Sequence, residues 1–255
     1  MDYCIETHNL TKAFGEKVAV IHLNIQVERG SFYGFLGPNG AGKSTTIKML
    51  TGILGATAGD ARVLGYRMDR QPLKAKQRIG VVPEQLSLFE NLNAREYLMF
   101  IGRMYKMPKP VIQRRSEELL ELLGLEDTGK TLTLEFSHGM KKKLSLAAAL
   151  IHDPDLLFLD EPFEGIDAIA SRPIRTVLDQ FVARGSTIFI TSHILEIVER
   201  LCSHVGIIAD GKLVQQGTLT EVTQGGRLEE AFVQALGDND TEHTAGLSWL
   251  GGGTG

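Results

Sequence analysis

The chain has 255 residues, 43% hydrophobic and 23% charged, a balance that buries a sizeable core and excludes disorder for most of its length. Lys and Arg number 27 against 31 Asp and Glu, a net charge of −4 that argues against a strongly basic nucleic-acid binder. The 2 cysteines, Cys4 and Cys202, lie far apart without metal-ligand spacing, which excludes a disulfide scaffold and points to a reducing compartment.

In chain order, Cys4 to Leu10 and His22 to Val27 alternate apolar with polar residues and predict half-buried antiparallel strands. Ser31 to Leu36 is a short apolar run feeding a glycine-rich turn. Thr45 to Leu54 has helical spacing, with Ile47, Leu50 and Leu54 on one side. Arg78 to Pro83 predicts another short strand. Asn93 to Leu123 is helical in pattern, interrupted by Pro108 and Pro110, and about 85–152 is expected to form a helical lobe.

Strands then return. Asp155 to Leu159 and Thr187 to Thr191 are almost uniformly apolar, as in strands buried on both faces of a parallel sheet. A helix over Ser171 to Ala183 between them makes a β-α-β unit. Val205 to Ala209 and Lys212 to Gln216 flank Asp210-Gly211, a hairpin signal. Arg227 to Leu236 predicts a last helix, and 237–255 is expected to be a flexible polar tail containing Trp249. No apolar run approaches the ~20 residues that cross a bilayer. The N-terminus lacks a basic stretch before an apolar one, so no secretory signal is expected.

Gly37-Pro38-Asn39-Gly40-Ala41-Gly42-Lys43-Ser44 fits G-x-x-x-x-G-K-[ST] between a predicted strand and helix. Glycines let successive N–H groups turn toward one anion, and the following helix, with Thr45 in its first turn, adds its positive end. Lys43 supplies a cation for the β- and γ-phosphates, and the Ser44 hydroxyl can ligate Mg²⁺. Leu156-Leu157-Phe158-Leu159-Asp160-Glu161-Pro162 is an apolar strand ending in two carboxylates, at the edge where open α/β sheets bind ligands. Asp160 suits Mg²⁺, directly or through water, and Glu161 suits a general base for an attacking water.

Together with the segments between them, these motifs resemble the ATP-binding subunit of an ABC transporter, over about 3–236. The resemblance implies an α/β P-loop cassette: a mixed or parallel β core, an N-terminal antiparallel β subdomain and an inserted helical lobe. Phe14 looks like the aromatic that stacks on adenine; its alternative is an ordinary core phenylalanine. In Ile79-Gly80-Val81-Val82-Pro83-Glu84-Gln85, either Glu84 or Gln85 takes the place of the family's metal-binding glutamine. Phe136-Ser137-His138-Gly139-Met140 stands where the family signature is expected, before a helix from about Met140 to Ile151. Ser137 and Gly139 match and would contact the nucleotide of a second subunit, whereas His138 and Met140 depart from the pattern. Lys141-Lys142-Lys143 is expected to be a solvated face. Asp167, in Glu164-Gly165-Ile166-Asp167, would cross to the opposite site, and His193 matches the switch histidine that contacts the γ-phosphate and the water.

The resemblance further implies ATP and Mg²⁺, and hydrolysis that closes and opens a pair of subunits. The pair is formed with a second copy or a homologous ATP-binding subunit. Membrane-spanning permease subunits are implied as partners, placing the chain at the cytoplasmic face of the membrane. No nucleic acid is expected. The segment Arg227 to Phe232 is similar to that of the branch exporting drugs, polysaccharides, lipids or ions. A soluble ABC-type ATPase of translation or DNA repair would be expected to carry two cassettes or long coiled coils, and the chain shows neither. A guanine-reading Asn-Lys-x-Asp motif is likewise missing from the sequence.

Overall fold

The computed structural model describes residues 2–166 and 171–237. The elements in chain order are β1 (Tyr3–Phe14), β2 (Lys17–Leu23), β3 (Gln26–Glu28), β4 (Phe32–Leu36), α1 (Lys43–Leu50), β5 (Ala58–Val63), β6 (Tyr66–Arg67), α2 (Pro72–Lys76) and β7 (Ile79–Val82). Next come α3 (Ala94–Met104), α4 (Lys109–Leu122), α5 (His138–Leu150), β8 (Leu156–Asp160), α6 (Ser171–Ala183), β9 (Thr187–Ser192) and α7 (Leu195–Leu201). The hairpin β10 (His204–Ala209) and β11 (Lys212–Thr218) and helices α8 (Leu219–Thr223) and α9 (Leu228–Leu236) complete the described chain.

Two sheets organise these elements. The first is antiparallel, ordered β2-β1-β5-β6, with β3 also paired to β1. The second is ordered β11-β10-β4-β9-β8-β7; it is parallel from β10 to β7, and only β11 joins it antiparallel. Strands β4, β8 and β9 are buried at every residue, the reason their sequences are apolar without alternation.

Their side chains still alternate between two cores. Phe32, Leu36, Leu157, Leu159, Ile188 and Ile190 face a core shared with the inserted helices, including Leu98, Leu120 and Leu144. Tyr33, Phe35, Leu156, Phe158 and Phe189 face the other, shared with Ile5, Val20 and Val63 of the antiparallel sheet. Phe189 anchors this second core, with ring centroids 5.4 Å from Tyr33, 5.4 Å from Phe35 and 5.6 Å from Phe158.

Helices α3, α4 and α5 fall between β7 and β8, an inserted helical lobe. A capping box starts α3: the Asn93 side chain accepts from Glu96 N at 3.0 Å, and Glu96 Oε2 accepts from Asn93 N at 3.0 Å. Gly102 lets α3 approach α4, since a Cβ there would meet Ile112 Cγ1 at 2.7 Å. No helix among the described residues is long and apolar enough to cross a membrane.

Several expectations shift. The segment His22 to Val27 is not one strand but the end of β2 and the start of β3. Asn24 interrupts it, its side chain accepting from Asn9 N at 2.8 Å and donating to His22 O at 2.8 Å. The first helix runs Lys43–Leu50 rather than to Leu54, closing where Thr51 Oγ1 donates to Ile47 O. Strands β5 and β6 and helices α2, α7 and α8 had no strong pattern. In β5 the reason is visible: Gly59 has φ +76°, and a Cβ there would lie 2.2 Å from Asn9 O, so the strand keeps a residue of low β propensity. The expected tail, with Trp249, lies outside the described residues beyond Gly237.

Candidate active site

Four parallel strand ends, those of β4, β7, β8 and β9, build the site. From β4 the chain turns through residues 37–42 into α1. Gly42 has φ +109°, and a Cβ there would meet Ala19 O at 2.6 Å, so only glycine closes the turn. The Lys43 side chain is 7% exposed; its ammonium donates to Gly37 O at 2.7 Å and to Pro38 O at 3.3 Å.

The end of β8 supplies the carboxylates. Ser44 Oγ lies 3.2 Å from Asp160 Oδ1 and 3.4 Å from Glu84 Oε2, the latter projecting from the turn after β7. Thr191 Oγ1, near the end of β9, donates to Asp160 Oδ1 at 2.6 Å and accepts from Glu161 N at 3.1 Å. Glu161 takes φ +49°, a left-handed conformation rarely adopted by a residue with a side chain. This turns its carboxylate back across the strand ends. Oε2 accepts from His193 N at 3.3 Å and faces His193 Nδ1 at 3.0 Å. Oε1 is buried, without a hydrogen-bond partner among the described residues, and 3.6 Å from Lys43 Nζ.

A cleft of about 610 Å³ opens over these groups, lined by Phe14, Asn39, Gly40, Gly42, Lys43, Ser44, Thr45, Glu84, Glu161 and His193. Phe14 ends β1 at 51% exposure, with Lys12 Nζ 5.2 Å from its ring centre; it is a rim residue, not a core one. Lys17, Ala19 and Glu164 complete the lining. Asp160 lies beneath, buried. Gly37, Pro38 and Ala41 belong to the loop without lining the cleft. Gln85 is exposed and outside the lining, so of the two adjacent candidates only Glu84 reaches Ser44. Ser44 Oγ, Glu84 Oε2 and Asp160 Oδ1 form a compact set of hard oxygen donors, which fits Mg²⁺ held by a few protein oxygens together with phosphates.

Ser137 and Gly139 are not part of this cleft. Ser137 is exposed and caps α5, its side chain accepting from Met140 N at 3.2 Å. The helix therefore starts at His138, two residues before the expected Met140, because Ser137 is the capping residue. A Cβ on Gly139 would meet nothing within 4 Å among the described residues, which leaves room there for an approaching surface. His138 packs in its own chain beside Gly165. Asp167 lies outside the described residues.

The lysine run is not a uniform solvated face. Lys142 is 2% exposed, and its ammonium donates to the backbone carbonyl of Glu161 at 2.7 Å. Burial draws its pKa below the ordinary lysine value, while the carboxylates of Glu164, Glu161, Asp160 and Glu84 pull it back up.

The sequence matches the family model described as ABC transporter over residues 20–164. It is 40% identical to the linearmycin resistance ATP-binding protein LnrL of Bacillus subtilis, over 86% of this chain and 70% of that protein. It is 42% identical to the bacitracin transport ATP-binding protein BcrA of Bacillus licheniformis, over 85% of this chain and 70% of that protein. A solved structure described as an ATP-binding subunit of an ABC transporter superposes with a TM-score of 0.85 and 30% identity, covering 91% of this chain and 99% of that one.

The chain belongs to the ABC transporter family. It is the ATP-binding subunit of such a transporter, an ATP hydrolase with the α/β cassette fold. Within this ABC subunit, Thr191 and Lys142 contact the two carboxylate residues of the site although no motif marks them. Thr191 stood two places before His193 at a strand end, a position that could have flagged it. Lys142 carried no such signal, because a lysine between two lysines is usually solvated.

Proposed function

We propose that this subunit hydrolyses ATP with Glu161 as the general base and His193 as its partner, inside a pair of ATP-binding subunits that drives export through membrane-spanning permease subunits. The observation that carries the catalytic assignment is the Glu161 carboxylate, 3.0 Å from His193 Nδ1 and 3.6 Å from Lys43 Nζ at the mouth of the phosphate loop.

The loop amides, the α1 N-terminus and Lys43 bind and orient the β- and γ-phosphates. Phe14 on the rim offers a face for adenine. Glu161 accepts a proton from water as its oxygen bonds to the γ-phosphorus; the bond from that phosphorus to the bridging oxygen breaks, giving ADP and phosphate. His193 holds the Glu161 carboxylate in place and lines the cleft. Ser44, Asp160 and Glu84 would hold Mg²⁺, which when bound neutralises phosphate charge as it shifts toward the leaving group.

The pairing is supported by the position of Ser137 and Gly139. Their turn lies outside the chain's own cleft and has free space at Gly139, which suits the reading that they serve a nucleotide held by another subunit, a second copy or a homologue. The γ-phosphate then bridges two surfaces, and its loss releases them. For the permease, the helical lobe offers exposed Phe89, Phe100, Met104 and Leu134, with Phe89 and Phe100 packed edge to face at 4.9 Å. On this reading the chain works at the cytoplasmic face of the membrane, held there by the permease. Export is supported by the resistance and transport proteins it resembles.

The decisive experiment is Glu161→Gln. It should bring turnover down by at least about a hundredfold, the scale of general-base catalysis, while ATP binding persists. Turnover near that of the unaltered protein would reject the assignment.

A further inference from the structure

Helix α5 has one end in the proposed partner-facing turn and its next turn in the chain's own site. Its last turns are fixed: a Cβ on Gly80 of β7 would lie 2.3 Å from Ala149 O, so helix and strand backbones are in direct contact. At the other end, Ser137 caps the helix and Gly139 is open. Between them Lys142 turns inward and donates at 2.7 Å to the carbonyl of Glu161, the residue held at φ +49°. The side chain of Lys142 is almost completely buried, and four carboxylates set its electrostatic surroundings.

We infer that Lys142 is a positioning residue for hydrolysis: by clamping the Glu161 carbonyl it fixes the backbone turn that aims the Glu161 carboxylate, and so ties each subunit's base to the same helix whose first turn meets the partner's nucleotide. The inference rests on the proposed role of Glu161 and deepens it. A left-handed residue is held only where its surroundings over-determine it. Here Thr191 holds the Glu161 N–H, His193 holds the carboxylate, and the carbonyl accepts from Lys142 Nζ at 2.7 Å and, more weakly, from Glu164 N at 3.3 Å, so Lys142 is the only side chain on the carbonyl among the described residues. Of these three side-chain anchors Lys142 is the one that belongs to the helical lobe, so it offers a direct route from a displacement of that lobe to the base. Small misplacement of a base is costly, because its geometry relative to the water decides the rate.

The test compares Lys142→Met with Lys142→Arg in the full chain. The Met variant should lose at least about tenfold in kcat with KM for ATP within about twofold, the pattern of a misaimed base with intact nucleotide binding. Arg, which keeps a charged donor, should recover most of the loss. In a Glu161→Gln background, single-turnover hydrolysis of radiolabelled ATP should show no further loss from Lys142→Met, since the carboxylate it aims is already gone. If Lys142→Met does not fold, Lys142→Gln, a shorter donor, is measured instead and should fall between unaltered protein and Glu161→Gln in kcat. An unchanged kcat, no recovery with Arg, or a full additional loss in the Glu161→Gln background each overturns the inference. If Glu161→Gln itself hydrolyses normally, it is the Glu161 assignment that fails, and the two failures are thereby distinguished.

Discussion

Thr191 Oγ1 donates to Asp160 Oδ1 at 2.6 Å and in the same position accepts from the Glu161 backbone at 3.1 Å, so one buried hydroxyl on β9 locks the two consecutive carboxylate residues at the end of β8. Valine has nearly the same shape without the hydroxyl. Thr191→Val should destabilise the fold by about 1–3 kcal/mol, the cost of leaving buried polar groups short of a partner, and should lower kcat as well. Serine, which keeps the oxygen, should lose much less of both. Urea denaturation alongside steady-state hydrolysis separates the two effects; equal stability for valine and threonine would show that the hydroxyl holds nothing.

Glu84 and Gln85 are adjacent, yet only Glu84 reaches Ser44. Glu84→Ala should therefore raise the Mg²⁺ concentration needed for half-maximal turnover and weaken Mn²⁺ binding followed by electron paramagnetic resonance. Gln85→Ala should leave both unchanged. The reverse pattern would move the metal role to Gln85.

Ser137 sits on the open first turn of α5, away from its own cleft. Ser137→Arg in a Glu161→Gln background should keep the protein single in sedimentation at saturating Mg-ATP, while each subunit still binds nucleotide. Glu161→Gln alone should pair. Parallel loss of binding and pairing would place Ser137 in its own subunit's site.

His152 links the lobe to the sheet. It stacks on Tyr105 with centroids 3.7 Å apart, and its Nε2 lies 3.0 Å from Ile79 O, while Nδ1 is buried without a partner. Burial pushes its pKa down to about 4 from the ordinary 6.5, so the folded state favours the neutral ring. Below pH 6.5 the unfolded chain binds the proton first, and stability falls with pH until the folded ring also titrates, near 4. His152→Phe, which keeps the stack on Tyr105, should flatten the dependence of unfolding free energy on pH across that interval. An unchanged slope would show that other groups set it.

The chemistry was legible in the sequence because it is carried by contiguous patterns. A glycine-rich loop between strand and helix, an apolar strand ending in Asp160-Glu161, and His193 closing another strand each encode their own backbone geometry. The buried runs of β8 and β9 announced a parallel sheet because every residue in them is covered. Tertiary structure alone decided the rest. It chose Glu84 over Gln85 for contact with Ser44, joined Thr191 to Asp160 across strands, kept Gly59 in a strand against Asn9, and drew Lys142 out of a lysine run to the carbonyl of Glu161. Those contacts join segments distant in the chain, and which partner a side chain meets there is set by how the helices and sheets pack, a property that no local spacing records.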